Sequence, residues 1–152
     1  SSHFNFSIPE PMGVVGLLAP NEPALLGLAT LLAPALAGGN VTVALVSARH
    51  PLAPATFAEI LHSSDVPAGV VNLLTGYREE LLPDFSSHMD VNALLTTELS
   101  PKQQKLADEN ASLNLKRVFH LPSKACSATE PPGLSPVLDI QETKTTWHPI
   151  GT

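Results

Sequence analysis

"GVVGLLAPNEPALLGLATLLAPALAGGNVTVALV", residues 13–46, is the stretch that fixes the fold class. A short apolar run over 13–20 ends at proline, and a helical pattern over 24–37 follows that is apolar on nearly every side. Such a helix must be covered on most of its surface. A Gly-Gly-Asn sequence suits a helix C-terminus, and the β-branched run over 41–46 is typical of a strand. The stretch therefore predicts a strand, a helix and a second strand.

A second helix and strand follow the first unit. Residues 51–64 have a helical pattern whose apolar side chains share one face, namely Phe57, Ile60 and Leu61. Residues 67–76, an apolar run between glycines, predict a buried strand. Residues 78–88 then predict a short, weaker helix that is broken at Pro83.

The last helix of the alternation has a specific start signal. Ser100 is followed by Pro101 and Gln103, in the order of an N-cap, a first helical position and a reciprocal capping residue. The apolar runs on either side of this helix, over 91–96 and 115–121, predict two more strands.

Strands alternating with helices through short loops predict an α/β fold. We expect a Rossmann-like open parallel sheet of about five strands with helices on both faces. A C-terminal extended tail strand is expected in addition. We divide the chain into an α/β domain over 1–121, a proline-rich linker over 122–138 and an oligomerisation-type strand over 139–152.

Composition argues against two classes of partner. Only 14% of the residues are charged and the formal net charge is −6, so a surface that follows a nucleic-acid backbone is not expected. Residues 23–48 carry no charge, but the Gly-Gly-Asn sequence divides them into pieces too short for the roughly 20 residues that span a bilayer. We therefore expect neither nucleic acid nor a membrane as a partner.

The cysteine content and the first residues bear on the compartment. The single cysteine, Cys126, cannot form a disulfide within the chain, which fits a reducing compartment. The first residues, "SSHFNF", have no basic region ahead of an apolar run, so they predict no signal peptide. These features favour a cytoplasmic location.

The ligand site of an open parallel sheet lies beyond the carboxyl ends of its strands, where helix N-termini present free N–H groups. After the first strand the sequence "APNEPALL" contains no G-x-G-x-x-G, and Gly13 and Gly16 are interpreted as packing glycines within the strand. Glu98 and Leu99 stand just before the N-cap of the last helix. A carboxylate there repels phosphate, so the sequence predicts a poor nucleotide site.

Several segments resemble the coenzyme-binding domain of aldehyde dehydrogenases. Residues 11–40 are similar to the family's P-x-G-V-V-G-x-I-A-P-W-N-F-P segment and to the helix after it, which ends A-P-A-L-A-A-G-N. Residues 51–76, 88–97 and 114–118 resemble later segments of that domain. Residues 139–151 are similar, more weakly, to the C-terminal strand that helps to form the family's oligomer. Within the family, the chain most resembles the second, non-catalytic domain of the large two-domain type.

The departures from the family pattern fall on its functional positions. The resemblance implies that a lysine and a glutamate hold the adenosine ribose, and Leu45 and Ala48 stand at these positions. It places Glu98 at the glycine-rich pyrophosphate turn and Leu121 at the general base. The asparagine that donates to the oxyanion is retained as Asn21 without its aromatic frame. The family cofactor is NAD or NADP, but because its binding residues are degenerate here we predict no cofactor.

The remaining reactive side chains predict neither a catalytic site nor a metal site. Cys126 has only Lys124 as a nearby cation, which is too little to activate a thiolate, so we interpret it as an unreactive loop thiol. The six histidines never pair at helical ligand spacing and never join the cysteine at zinc-finger spacing. No catalytic, cofactor-binding or metal-binding residue is predicted.

The tail carries the predicted partner-binding residues. Thr143, Thr145 and Trp147 alternate with Lys144 and Thr146 in the period of two that is typical of a strand. Such a strand needs a sheet edge to pair with, and the resemblance implies an edge of a neighbouring domain or subunit. We expect Trp147 to be its main apolar anchor. The alternative is a tail that is disordered once it is cut from its parent.

Two functions stay open on the sequence alone. The first is a non-catalytic module that acts in domain association or protein–protein interaction. Its partner is then either another domain of the parent chain or a homo-oligomer partner. The second is a fragment of an NAD(P)-dependent aldehyde oxidoreductase whose catalytic residues lie elsewhere in the parent protein. The sequence favours the first, because the coenzyme contacts and the general base are replaced.

Overall fold

The computed structural model describes residues 3–127 and 133–150. Two sheets contain its strands, which are His3–Pro11 (β1), Val14–Leu18 (β2), Val41–Leu45 (β3), Val71–Leu74 (β4), Ala93–Thr97 (β5), Arg117–Leu121 (β6) and Gln141–Pro149 (β7). Five of them form a parallel sheet in the order β4-β3-β2-β5-β6. The other two, β1 and β7, form an antiparallel ribbon.

Helices connect successive strands of the parallel sheet. They are Ala24–Ala37 (α1), Leu52–His62 (α2), Arg78–Ser87 (α3) and Pro101–Ser112 (α4), and a short helix, Ser135–Leu138 (α5), precedes β7. A 3₁₀ helix covers Ser123–Cys126. The predicted bounds of α1 and the predicted capping box of α4 are both confirmed.

The sheet has an apolar core on each face. Alternate residues of β2 face opposite sides, so Val15 and Leu17 pack with α1 while Leu18 packs with α3 and α4. The α/β fold predicted from the sequence, an open parallel sheet of five strands flanked by helices, is confirmed. This arrangement brings the carboxyl ends of β2, β3 and β5 together at one edge of the molecule.

Helix α3 corrects one expectation, since it runs through Pro83 without a break. Proline removes one backbone N–H donor from the helix. However, Leu82 and Phe85, which flank Pro83, are buried in the core beneath α3. This apolar burial holds the helix in place despite the lost hydrogen bond.

The strand predicted over 67–76 is shorter and less buried than expected. Strand β4 covers Val71–Leu74 at the edge of the sheet, and its residues are half-buried or exposed because β3 is its only neighbour. An apolar run shows that a strand is packed on its faces, but it does not show whether the strand is central.

The two glycines near β2 have different roles. A Cβ at Gly16 would lie 2.9 Å from the Phe85 ring, so Gly16 is a packing glycine as expected. A Cβ at Gly13 would also clash, 2.5 Å from Oδ1 of Asn92, but Gly13 stands just before the strand and not inside it, which corrects its predicted position. It precedes β2 with a φ of +121°, a backbone conformation that side-chain-bearing residues rarely adopt.

The predicted linker contains short helices that its composition did not indicate, and the predicted terminal strand pairs with another strand of this chain. The 3₁₀ helix and α5 both lie within residues 122–138 and pack on α1. Residues 128–132 of the linker and 151–152 of the terminal segment lie outside the described residues. Strand β7 pairs with β1, a strand that the sequence analysis did not predict.

Candidate functional site

A cleft of about 280 Å³ opens at the carboxyl ends of the parallel strands. The loops after β2, β3, β4 and β5 form its walls, and Asn21, Ala48, Arg49, Arg78 and Glu98 line it. This is the place where open parallel sheets bind ligands. The cleft is therefore the candidate ligand site of the α/β domain.

Glu98 occupies the turn between β5 and α4. Its backbone has a φ of +55°, and its side chain turns back across the cleft. Oε2 of Glu98 accepts hydrogen bonds from the backbone N–H of Asn21 at 2.9 Å and from Nδ2 of Asn21 at 3.4 Å. The carboxylate thus holds the loop after β2 and places a negative charge in the cleft.

Arg78, at the start of α3, is the second charged residue of this network. Its guanidinium donates to the carbonyl oxygen of Ala19 at 2.6 Å and to that of Glu98 at 3.1 Å. Burial lowers the pKa of Arg78, and the nearby Glu98 carboxylate, 3.9 Å away, partly opposes this shift. Arg78 therefore binds the backbone at the ends of β2 and β5. The sequence analysis missed it, although an arginine just after a strand end was an available signal.

The positions that correspond to the family's ribose contacts hold no charged group. Leu45 is buried within β3, and Ala48 lies exposed beyond the strand end. Between them, Oγ of Ser47 donates to the carbonyl oxygen of Asn21 at 3.1 Å and accepts from the backbone N–H of His50 at 3.0 Å. The Ser47 hydroxyl therefore serves the local loop structure, while Arg49 lines the cleft.

The N-terminus of α4 is already capped by its own side chains. Ser100 Oγ accepts from the Gln103 backbone N–H at 3.4 Å, and Gln103 Oε1 accepts from the Ser100 backbone N–H at 2.9 Å. A phosphate would have to displace this capping box to reach these donors. The capping box and the Glu98 carboxylate therefore occupy this end of the cleft.

Asn21 and Leu121 lie in different parts of the structure. The amide of Asn21 contacts both Glu98 and Ser47, which takes up the side chain that the family uses on an oxyanion. Leu121 ends β6 and packs against the core on the α1 face, so no base stands at that position. The carboxylate beside Asn21 is that of Glu98, which accepts hydrogen bonds from the backbone and side-chain amides of Asn21.

Cys126 lies in the 3₁₀ helix and is 1% exposed, packed against α1. The sequence interpretation placed Cys126 in an open loop, and this position is corrected. Burial raises the pKa of the Cys126 thiol, and the charge of Glu98 raises it further. The thiol is neutral at physiological pH and out of contact with bulk solvent.

One further cluster has the composition of a hydrolytic triad. Thr96 Oγ1 lies 2.7 Å from Nδ1 of His120, and Nε2 of His120 lies 3.0 Å from Oδ1 of Asp108. Thr96, however, is 1% exposed, so a substrate cannot reach its hydroxyl. The cluster instead joins β5, β6 and α4.

The predicted partner-binding residues lie together on one face of the ribbon. Thr143, Thr145 and Trp147 pair with Pro9, Ser7 and Asn5 of β1. The hydroxyls of Ser7 and Thr145 are 2.7 Å apart, and the Trp147 ring packs edge-on against that of His3 with 6.3 Å between centroids. Trp147 is 64% exposed, which leaves most of its surface free for a partner.

The opposite face of the ribbon is more apolar, and the sequence analysis missed it. Phe4, Phe6 and Ile8 are 57%, 38% and 43% exposed, and Phe6 stacks on His148 with 5.9 Å between ring centroids. We call these four residues the aromatic face. The alternation in "HFNFSI" was the available signal, since every second residue is apolar.

Within residues 3–127 and 133–150, no group of three or more His, Cys, Asp or Glu side chains could hold a metal ion. No helix in the same described part of the chain is long and apolar enough to cross a membrane.

An open parallel sheet of five strands flanked by helices is a Rossmann-like fold. The model of the aldehyde dehydrogenase family matches residues 1–124, and the chain belongs to this family. It is 33% identical over 115 residues to the cytosolic aldehyde dehydrogenase 1 of Elephantulus edwardii, which covers 76% of this chain and 23% of that protein.

Solved structures of the family share this fold. Aldehyde dehydrogenase C of Pseudomonas syringae, in complex with NAD+ and octanal, superposes with a TM-score of 0.73 at 30% identity, over 78% of this chain and 24% of that one. The aldehyde dehydrogenase KauB of Pseudomonas aeruginosa gives 0.71 at 35% identity, with the same coverage of 78% and 24%. The chain thus spans about a quarter of the length of its relatives.

Proposed function

We propose that this chain is a non-catalytic module of the aldehyde dehydrogenase family whose β1–β7 ribbon associates with another protein surface. The observation that carries the proposal is the exposure of the ribbon, in which every residue of β1 is exposed. An isolated two-stranded sheet is marginally stable at best in water. A ribbon that keeps aromatic residues on its surface is stabilised when a partner covers it.

The partner that fits the aromatic face best is a second copy of this chain. An apolar stripe is self-complementary, so a two-fold axis places Phe4, Phe6 and Ile8 of one copy against the same residues of the other. The ribbon also has two unpaired strand edges, which allow a strand of the second copy to add to it. Another domain of the parent chain is the other possible occupant, and the test below separates the two.

The cleft supports the non-catalytic part of the proposal. Glu98 fills the phosphate end, Leu45 and Ala48 stand at the ribose positions, and Asn21 is hydrogen-bonded within the loop. We therefore propose that the chain binds neither NAD nor NADP and has no catalytic residue of its own. The second, non-catalytic domain of the large two-domain type remains the proposed counterpart, with the reducing cytoplasm as its compartment.

Sedimentation velocity over a range of concentrations tests the association. Phe6→Lys places a charge on the aromatic face, and Trp147→Lys places one on the predicted partner-binding face. Thr56→Lys, on exposed α2, is the matched control. We expect the wild type and the control to self-associate with similar affinity. A ribbon variant should have a dissociation constant at least about tenfold higher, which is a loss of about 1.4 kcal/mol in binding free energy.

Fluorescence provides a second readout of the same event. Trp147 is the only tryptophan, so its emission should shift to shorter wavelength when the ribbon becomes covered. A chain that stays monomeric but binds the rest of its parent protein, with weaker binding in the ribbon variants, would assign the ribbon to domain association. If neither ribbon variant changes any binding, the proposed function is wrong.

A further inference from the structure

A small apolar cavity lies between α1, the β5–β6 side of the sheet and the tail segment. Its volume is about 160 Å³. Leu31 comes from α1, Leu95 from β5 and Phe119 from β6, and Cys126 and Ile140 of the tail segment form the facing wall of the cavity, which is partly open to solvent. All of these residues belong to the described part of the chain.

The cavity follows from the way the tail covers the sheet. Helix α1 packs over β2, while the 3₁₀ helix and the residues around α5 complete the same core near β5 and β6. The tail side chains at this place are small, since Ala125, Cys126 and Pro136 line the space. Short elements with small side chains leave the core less closely packed at this place than a protein interior usually is.

The chemistry of the walls selects the occupant. The wall residues are aliphatic or aromatic apart from Cys126, Thr30 and Asp139. The hydroxyl of Thr30 is engaged, since it donates to the carbonyl oxygen of Leu26 at 2.8 Å. Asp139 is an exposed residue of the lining. A water molecule needs two to four polar partners, which these walls do not supply. An apolar cavity of about 150 Å³ accommodates a molecule the size of benzene.

We propose that this cavity binds a small apolar molecule, a single ring or a short hydrocarbon chain of benzene size. The site is independent of the cleft and of the ribbon. Because its walls come both from the sheet and from the tail, an occupant adds contacts between Leu31 and Leu95 on one side and Cys126 and Ile140 on the other. Binding therefore strengthens the docking of the tail on the sheet.

Benzene titrated into the full chain, followed by methyl NMR, tests the proposal. We expect saturable shifts at the methyl groups of Leu31, Leu95 and Ile140, with a dissociation constant of about 1 mM or tighter. The exposed methyl groups of Leu52 and Ile60 should not shift. The melting temperature should rise with benzene concentration, since only the folded state has the cavity.

A filled cavity provides the matched variant. Cys126→Met adds volume inside the cavity, because methionine fills irregular apolar gaps, and should weaken benzene binding at least about tenfold. Ala53→Leu, at an exposed position of α2, is the control and should bind as the wild type does. Shifts spread equally over exposed methyl groups, or none up to the solubility of benzene, would overturn the proposal.

Cysteine modification gives a readout that needs no variant. Cys126 is the only cysteine, and its reaction with methyl methanethiosulfonate should slow at least about tenfold in saturating benzene. A rate that benzene leaves unchanged would also overturn the proposal.

Discussion

At the scale of single residues, the buried charges of this chain bind backbone groups. Arg78 donates to carbonyl oxygens at the ends of β2 and β5. Lys116 also binds backbone groups, at the C-terminal end of α3. Its Nζ donates to the carbonyl oxygens of Phe85, Ser86 and His88 at 2.9 to 3.1 Å. Burial lowers the pKa of Lys116, but three carbonyl acceptors favour its charged form. Neither cation is free to hold a phosphate.

The first prediction concerns Glu98 and nucleotide. Isothermal titration of the wild type with NAD should show no saturable binding, and Glu98→Gly should gain little. That variant removes the repelling charge, but the ribose contacts are still missing at Leu45 and Ala48. Glu98→Gln is the control, because it removes the charge and keeps the side-chain length. A dissociation constant below about 100 μM, near 5.5 kcal/mol of binding free energy, for the wild type would contradict the proposed loss of cofactor.

The second prediction concerns Cys126 and pH. Burial raises the pKa of its thiol above the ordinary value of 9.0, so the folded state favours the neutral form. The thiol therefore contributes stability that is present below 9.0 and is lost as pH rises through the folded-state pKa. In urea unfolding, the stability advantage of the wild type over Cys126→Ala should be smaller at about pH 10 than at about pH 8. Lys116 titrates in both proteins, so its contribution cancels. An advantage that stays constant would show that the thiol is accessible.

At the scale of elements, helix α4 shows how local sequence can determine a boundary. Ser100, Pro101 and Gln103 specify the start of the helix through groups that are adjacent in sequence, so the sequence sufficed to predict it. The bounds of α1 were predictable for a related reason, because a proline before it and Gly-Gly-Asn after it limit an apolar run. Arg78 was not predictable in this way, because its partners lie on two strands distant in sequence.

The third prediction tests the α4 cap. Ser100→Ala removes the hydroxyl that accepts from the Gln103 backbone N–H and should lower the free energy of unfolding by about 1 kcal/mol. Ser112→Ala, at the other end of the same helix, loses only a local bond to the carbonyl oxygen of Glu109. It should change stability by less than about 0.5 kcal/mol. Urea denaturation of both variants gives the comparison. Equal losses would mean that the cap contributes nothing specific.

At the scale of the whole molecule, the sheet and the ribbon differ in what the sequence could reveal. Buried strands give continuous apolar runs, and the order of elements then implies a parallel sheet. The ribbon lies outside the core, so its strands carry only the weaker signal of alternation. Its pairing joins the two ends of the described chain, which no local pattern in the sequence indicates. The burial of Ile140 and Cys126 against α1 could not be predicted either, because no local pattern in the sequence indicates it.

The fourth prediction separates the two parts. A chain trimmed to residues 12–141 lacks β1 and all of β7 except Gln141, and it retains Ile140, so circular dichroism should show that the parallel sheet is still folded. Its self-association should be lost, because the aromatic face and Trp147 are both absent. Thr145→Pro, which removes one backbone donor and the hydroxyl beside Ser7, should weaken association in the full chain. A trimmed chain that associates as the full chain does would place the interface on the α/β domain.

The register of the ribbon, in which His3 lies opposite Pro149, also sets an order of events during synthesis. Closing a loop of this length has a larger entropic cost than any pairing within the sheet, where β2 and β5 are the strands farthest apart in sequence that pair. On the ribosome, β1 emerges before the sheet sequence, and its partner strand β7 emerges only after the whole of it. Until then an aromatic strand with free backbone edges is exposed to other nascent chains. An aggregation-prone interval in the synthesis of this ribbon therefore falls between the emergence of β1 and that of β7.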